Sequence, residues 1–246
     1  MSNMKQERER IEKKRQDILS DPYTLWNQHS FVELRNLTVC RLTVFNARRG
    51  GEPARLVLSE WRDADMNSWL DLKRVQSSSV TEFERSMFKD LKITFLGGKG
   101  VNHLVPDLIP RDLLGAMRTL SSPPVRDDAN VHKANEYMFP STQLTTTHVN
   151  GWQAVHNVCV SANIDEPDKL TATKMRHRVS TLYAATDMPE SEKHYFYKHM
   201  GHSEEINQKN AKKYILKYEL NSDACYHTDS YLSQISHNSV ILIDLD

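Results

Sequence analysis

The chain lacks most of the features that announce a function outright. Its 246 residues include three cysteines, Cys40, Cys159 and Cys225, too far apart for any Cys-x-x-Cys pair, which excludes a zinc framework and points to a reducing compartment. No apolar run is long enough to span a bilayer, and the opening MSNMKQERERIEKKRQ is polar throughout, unlike a secretory signal. No membrane partner is expected, and the expected location is intracellular. Net charge is missing as well: 32 basic and 32 acidic residues cancel, so no global field draws in nucleic acid. The phosphate-loop pattern Gly-x-x-x-x-Gly-Lys-Ser/Thr is absent, since Gly100 follows Lys99. His-Glu-x-x-His is absent too. His194, His199 and His202 are close in sequence, but no more than two of them could share a helical face, so no metal and no other cofactor is expected.

What is present begins with a local charge. Thr171 to Lys217 carries nine Lys or Arg against five Asp or Glu, and phosphate is bound by such a patch rather than by a surface average. A solvated face has the same look, so position must decide. The apolar positions Val32, Leu34, Leu37, Val39, Leu42 and Phe45 predict a core helix over Phe31–Phe45, ending before Gly50-Gly51. Pro53 suits the start of a second helix, PARLVLSEW. Helical patterning resumes through Trp69 and from Phe83 to Phe88. Ile93 and Phe95, then Leu104, Val105, Leu108 and Ile109, flank Gly-Gly-Lys-Gly and predict a β-hairpin. Helix returns at RDLLGAMRTL, and SSPPVRDDAN reads as a loop. After a short YMFPS segment, helices are expected to about Ile235, with NSVILIDLD docking as a strand. The fold class is therefore mainly α with a small antiparallel β-sheet (α+β). The expected organisation is a polar helical lead-in (1–30), one main domain (31–220), and a C-terminal helix and tail (221–246).

Four polar groups fall at the punctuation points of this map. Arg49 and Glu52 are three apart at the turn after the first core helix. An arginine there can turn its fork outward to two phosphate oxygens while the acid holds the turn, although an Arg-Glu pair is most often structural. Lys99 sits at the hairpin tip, where a solvated lysine is the ordinary reading. Thr173, Arg176 and His177 open a helix whose apolar face is Met175, Val179, Leu182 and Tyr183, in positions often taken by caps. His202 follows a glycine in MGHS.

In order, LTVFNARRGGEPARL, GGKGVNHLVPDLIP, TATKMRHRVSTL and HMGHSEEINQK resemble the catalytic domain of the tyrosine recombinases, the phage-integrase superfamily. The wording is most similar to integrase-like genes of animal genomes, and the resemblance runs from about Phe31 to Tyr218. It implies that family's catalytic-domain fold, DNA as partner, a homo-oligomer on DNA and a nuclear location. The family's Arg-x-x-Glu turn falls on Arg49 and Glu52, its hairpin lysine on Lys99, and the arginine of its His-x-x-Arg block on Arg176. Thr173 stands where that block has histidine, and a threonine hydroxyl cannot act as a base near neutral pH. The histidine of the Leu-Gly-His block falls on His202, with Met200 in place of leucine.

In the family a tyrosine attacks a DNA phosphodiester, leaving a 3′-phosphotyrosyl link and a free 5′-hydroxyl, so the bond energy is kept in the intermediate. The resemblance implies that Arg49 and Arg176 clamp the non-bridging oxygens. It implies that Lys99 protonates the departing 5′-oxygen and that His202 donates to the phosphate or assists the nucleophile. The family's spacing places the nucleophile at Ala211, whereas the first tyrosine on that helix is Tyr214. Three residues on a helix turn by about 300° and advance about 4.5 Å, and a misplacement of about 1 Å can cost about a hundredfold in rate. Either a longer turn after His202 restores Tyr214 to the phosphate, or Ala211 marks a lost nucleophile and Tyr214 packs with Ile215 and Tyr218. The expected function is DNA strand cleavage and rejoining by a tyrosine recombinase, with Tyr214 as nucleophile. The alternatives are a catalytically impaired, domesticated DNA-binding protein and a helical interaction protein that does not touch DNA. Only about thirty residues precede the first core helix, too few for the DNA-clamping domain that active members carry ahead of the catalytic one.

Overall fold

The computed structural model describes residues 13, 16–17, 26–49, 51–68, 91–97, 104–164, 167–169, 171–184, 196 and 199–200. The chain divides into two compact units, residues 1–175 and 176–246. The elements are α1 (Gln28–Phe45), α2 (Leu58–Asp65), β1 (Leu91–Gly97), β2 (Leu104–Pro110), α3 (Leu114–Ser121), α4 (Pro123–Asp128), α5 (Gly151–Ser161) and α6 (Ala172–Ala184). Short 3₁₀ turns lie at Pro53–Arg55, Arg111–Leu113 and Pro167–Lys169. The fold class is the expected one, mainly helical with a small antiparallel sheet. Among the described residues, no helix is long and apolar enough to cross a membrane.

Helix α1 starts at Asn27, whose side chain accepts the Ser30 amide at 3.0 Å, the capping role that suits a short polar side chain. Phe31, Leu34, Val39 and Leu42 are fully buried, and so is Thr38. The helix is thus enclosed on more than one side, which explains apolar steps of two and three rather than a single stripe. Even Arg35 and Asn36 are buried. They satisfy each other: the Arg35 guanidinium donates to Asn36 Oδ1 and, at 2.6 Å, to the Pro140 carbonyl. On another side, Leu37 and Cys40 pack with Val155, Val158 and Cys159 of α5. The main core gathers Phe31, Leu34 and Leu42 with Leu113, Met117 and Leu120, and with Met138 and Phe139.

Two elements depart from the sequence reading. The helix expected from Pro53 is a 3₁₀ turn followed by a break, and α2 begins only at Leu58. The break has a tertiary cause: Val57 bridges Tyr137, the Met138 amide bonds the Leu56 carbonyl, and the Leu58 amide bonds the Glu136 carbonyl. Conversely, the expected loop SSPPVRDDAN contains α4, with Pro123 in its first turn, where a missing N–H is no loss. Its Arg126 is buried and donates to the Asn135 carbonyl at 2.7 Å and the Tyr137 carbonyl at 3.1 Å. The expected helices around Trp69 and Phe83–Phe88 and the expected C-terminal strand lie outside the described residues.

The hairpin is where it was expected. β1 and β2 pair antiparallel from Leu91↔Pro110 to Gly97↔Leu104. Directly opposed residues share a face, so Leu96/Val105, Thr94/Asp107 and Lys92/Ile109 form one row. Leu96, Val105 and Ile109 are buried, as a core-facing row requires, and Thr94 and Asp107 are buried between them.

Candidate active site

Among the described residues the sheet has two strands, which leaves alternate backbone groups on each without a partner strand. The turn that ends α1 covers those of β2. The Leu108 amide donates to Asn46 Oδ1 and Asn46 Nδ2 donates to the Leu108 carbonyl, both at 2.8 Å. The Arg48 guanidinium donates to the Pro106 carbonyl, the next along the same edge. Between them Ala47 has φ 49°, and the Arg48 amide returns to the Thr43 carbonyl at 3.0 Å, a left-handed helix end that glycine usually takes. This turn sends two neighbouring arginines to different surroundings.

Arg48 goes inward. Its side chain is 3% exposed, and its Nε lies 3.3 Å from Asp107 Oδ1. Arg49 stays at the surface, 45% exposed, with Nη1 3.2 Å from Oε1 of the buried Glu52. Glu52 also accepts the Arg49 amide at 3.4 Å and gives its own amide to the Arg49 carbonyl at 2.8 Å. The acid three residues on therefore does hold the turn. A guanidinium has five N–H donors, so a single bond to Glu52 leaves Arg49 the capacity to meet an anion.

Asp107 has the more costly environment. Burial pushes its carboxyl up to about 7; the Arg48 charge and hydrogen bond pull it down, and the Glu52 charge adds to the rise. Among the described residues its Oδ2 has no hydrogen-bond partner, and neither do the hydroxyls of Thr94, directly opposite, and Thr43 on α1. The sequence reading passed over both Arg48 and Asp107. The available signal was an acid in the middle of Val105-x-Asp107-x-Ile109, an inward strand position where a charge requires a partner.

The third and fourth sequence blocks are also joined. Thr171 caps α6, its Oγ1 accepting the Lys174 amide at 3.2 Å. Thr173 is exposed, while Arg176, about a turn further on, is buried and donates to the carbonyl of the buried Met200. Met200 stands two residues before His202. Lys99, His202, Tyr214 and Ala211 lie outside the described residues. Among those described, no group of three or more His, Cys, Asp or Glu could hold a metal ion; His194 and His202 are not among them. The first two blocks thus meet through Arg48 and Asp107 within one unit, and the last two through Arg176 and Met200 within the other.

No protein-family model matches the chain, and no curated protein sequence matches it. Its structure is similar to that of XerH site-specific recombinase bound to palindromic difH substrate, a post-cleavage complex, with a TM-score of 0.50 and 12% identity. The match covers 90% of this chain and 51% of that one, so this chain spans about half the length of the protein it resembles. At 12% identity the likeness is one of fold alone.

Proposed function

We propose that the protein binds DNA and acts as a tyrosine recombinase, cleaving and rejoining strands through a 3′-phosphotyrosyl intermediate on Tyr214. The observation that best supports this reading is the pairwise association of the four sequence blocks, each pair built around an arginine of the expected set or its immediate neighbour. Arg49 and Arg176 supply guanidiniums to non-bridging phosphate oxygens. Each is already restrained, Arg49 by Glu52 and Arg176 by the Met200 carbonyl, and donors fixed in advance stabilise developing charge without reorganising during the reaction. Lys99 gives the proton to the leaving 5′-oxygen, and His202 donates to the phosphate. No metal or cofactor is called for, because the phosphotyrosyl bond conserves the energy of the broken ester. The protein works as a homo-oligomer on DNA in the nucleus.

A second reading, a domesticated DNA-binding protein with impaired catalysis, is favoured by Ala211 at the family's nucleophile position and by Thr173 in place of histidine. A duplex carrying a nick or a bridging phosphorothioate separates the two. The first reading expects a denaturation-resistant protein–DNA species with wild type and none with Tyr214→Phe, and Arg49→Ala or Arg176→Ala should slow its formation about 10²–10³-fold. Salt-sensitive binding with no adduct on any substrate selects the second reading, and absence of salt-sensitive binding rejects both.

A further inference from the structure

Arg48 and Arg49 are neighbours with opposite surroundings, one 3% and the other 45% exposed at the side chain. The inward one is held at two points of one strand, the Asp107 carboxylate and the Pro106 carbonyl. From these contacts we infer that Asp107 is a positioning residue for Arg49: through Arg48 it anchors the Arg49–Glu52 turn to β2, a role that rests on Arg49 meeting phosphate. A side chain that binds an anion from a turn is only as well placed as the backbone that carries it, so its support is part of the site.

A plain structural contact between these elements would be served as well by apolar side chains, since a buried ion pair often adds no net stability over a hydrophobic pair of the same volume. An acid in the middle of the core-facing row of a hairpin needs another reason to be there. Its charged surroundings are Arg48 and Glu52 from the turn. Lys92 lies on the same row of β1, but its ammonium is taken by the Asp65 carbonyl at 3.0 Å and Asn67 Oδ1 at 2.6 Å. Opposite it on β1, the Thr94 hydroxyl has no hydrogen-bond partner among the described residues. Ionised, Asp107 grips Arg48; protonated, it loses the charge that attracts the guanidinium, and the grip loosens. The charge state of Asp107 therefore reaches Arg49 through one covalent step along the backbone.

The full chain, labelled for NMR, tests this without any DNA. Across the neutral range the Arg49 side-chain N–H signal should move in step with the Asp107 carboxyl, and in Asp107→Asn it should stop titrating there. The double variant Arg48→Met/Asp107→Leu removes the pair without leaving a buried charge unmatched. It should melt at or above the wild-type temperature, yet its Glu52 amide, which bonds the Arg49 carbonyl, should exchange about tenfold faster or more, with protection in α5 unchanged. An Arg49 signal that ignores Asp107, or unchanged Glu52 protection in the double variant, overturns the assignment. Failure of DNA cleavage would leave these readouts as they are, so the two ideas fall separately.

Discussion

Asp107 shows how one side chain can work against the fold that contains it. Its carboxyl is raised from an ordinary 3.8 to about 7 because ionising it inside the hairpin's buried row is unfavourable. Between those two values the native state binds the proton that the unfolded chain has released. The Asp107 contribution to stability is therefore greatest below the unfolded value, declines as pH rises toward 7, and is flat and lowest above it. A tenfold change in proton affinity is worth roughly 1.4 kcal/mol, so the whole decline amounts to several kcal/mol. Urea unfolding of wild type and Asp107→Asn from acid to neutral pH should give a slope for wild type that the variant lacks; equal slopes would contradict the burial. Arg48→Ala, which strands the carboxyl, should cost about 3–5 kcal/mol near neutral pH and less in acid. At this scale the Arg49–Glu52 contact was legible from its three-residue spacing, whereas the Arg48–Asp107 pair, 59 residues apart, was not. Two adjacent arginines look alike in a sequence, and only the turn that follows Ala47, at φ 49°, separates the inward Arg48 from the exposed Arg49.

Among the elements, the end of α1 and the edge of β2 depend on each other. Among the described residues no further strand pairs with β2 at Leu108; Asn46 meets it there and also bonds the Leu42 carbonyl at 3.1 Å. Asn46→Ala would leave part-buried backbone groups unpaired, and denaturant unfolding should show a loss of about 2–3 kcal/mol. A loss below about 0.5 kcal/mol would mean that water serves the strand equally well. Ala47→Gly should act in the opposite direction, gaining about 0.5–1 kcal/mol by relieving the left-handed penalty, less what glycine costs in chain entropy. The helix α1 and the hairpin were legible because their apolar patterns are local. The late start of α2 was not, since it follows from the pairing of Leu56–Leu58 with Glu136–Met138, a contact that no local window contains. The helix inside SSPPVRDDAN escapes a local reading because proline there looks like a breaker, although Pro123 occupies a first turn, where proline is at home.

For the whole molecule, zero net charge conceals an uneven distribution, with the excess of Lys and Arg between Thr171 and Lys217. The proposed DNA binding should therefore weaken linearly in log–log form with salt, by about 0.9 per phosphate neutralised, and Arg49→Ala should reduce that slope by about 1. A variant that weakens binding while leaving the slope intact would place Arg49 away from the phosphates. The fold class was legible from local patterns in the chain even though identity to the similar solved structure is only 12%. In the proposed reaction the segment from His202 to Tyr214 has to bring the tyrosine hydroxyl to the phosphate. The most direct measurement is mass spectrometry of the covalent species after nuclease and protease digestion. The proposal predicts a nucleotide remnant joined through its 3′-phosphate to the peptide bearing Tyr214; a remnant on any other residue, or no modified peptide from any nicked or phosphorothioate duplex, would contradict it.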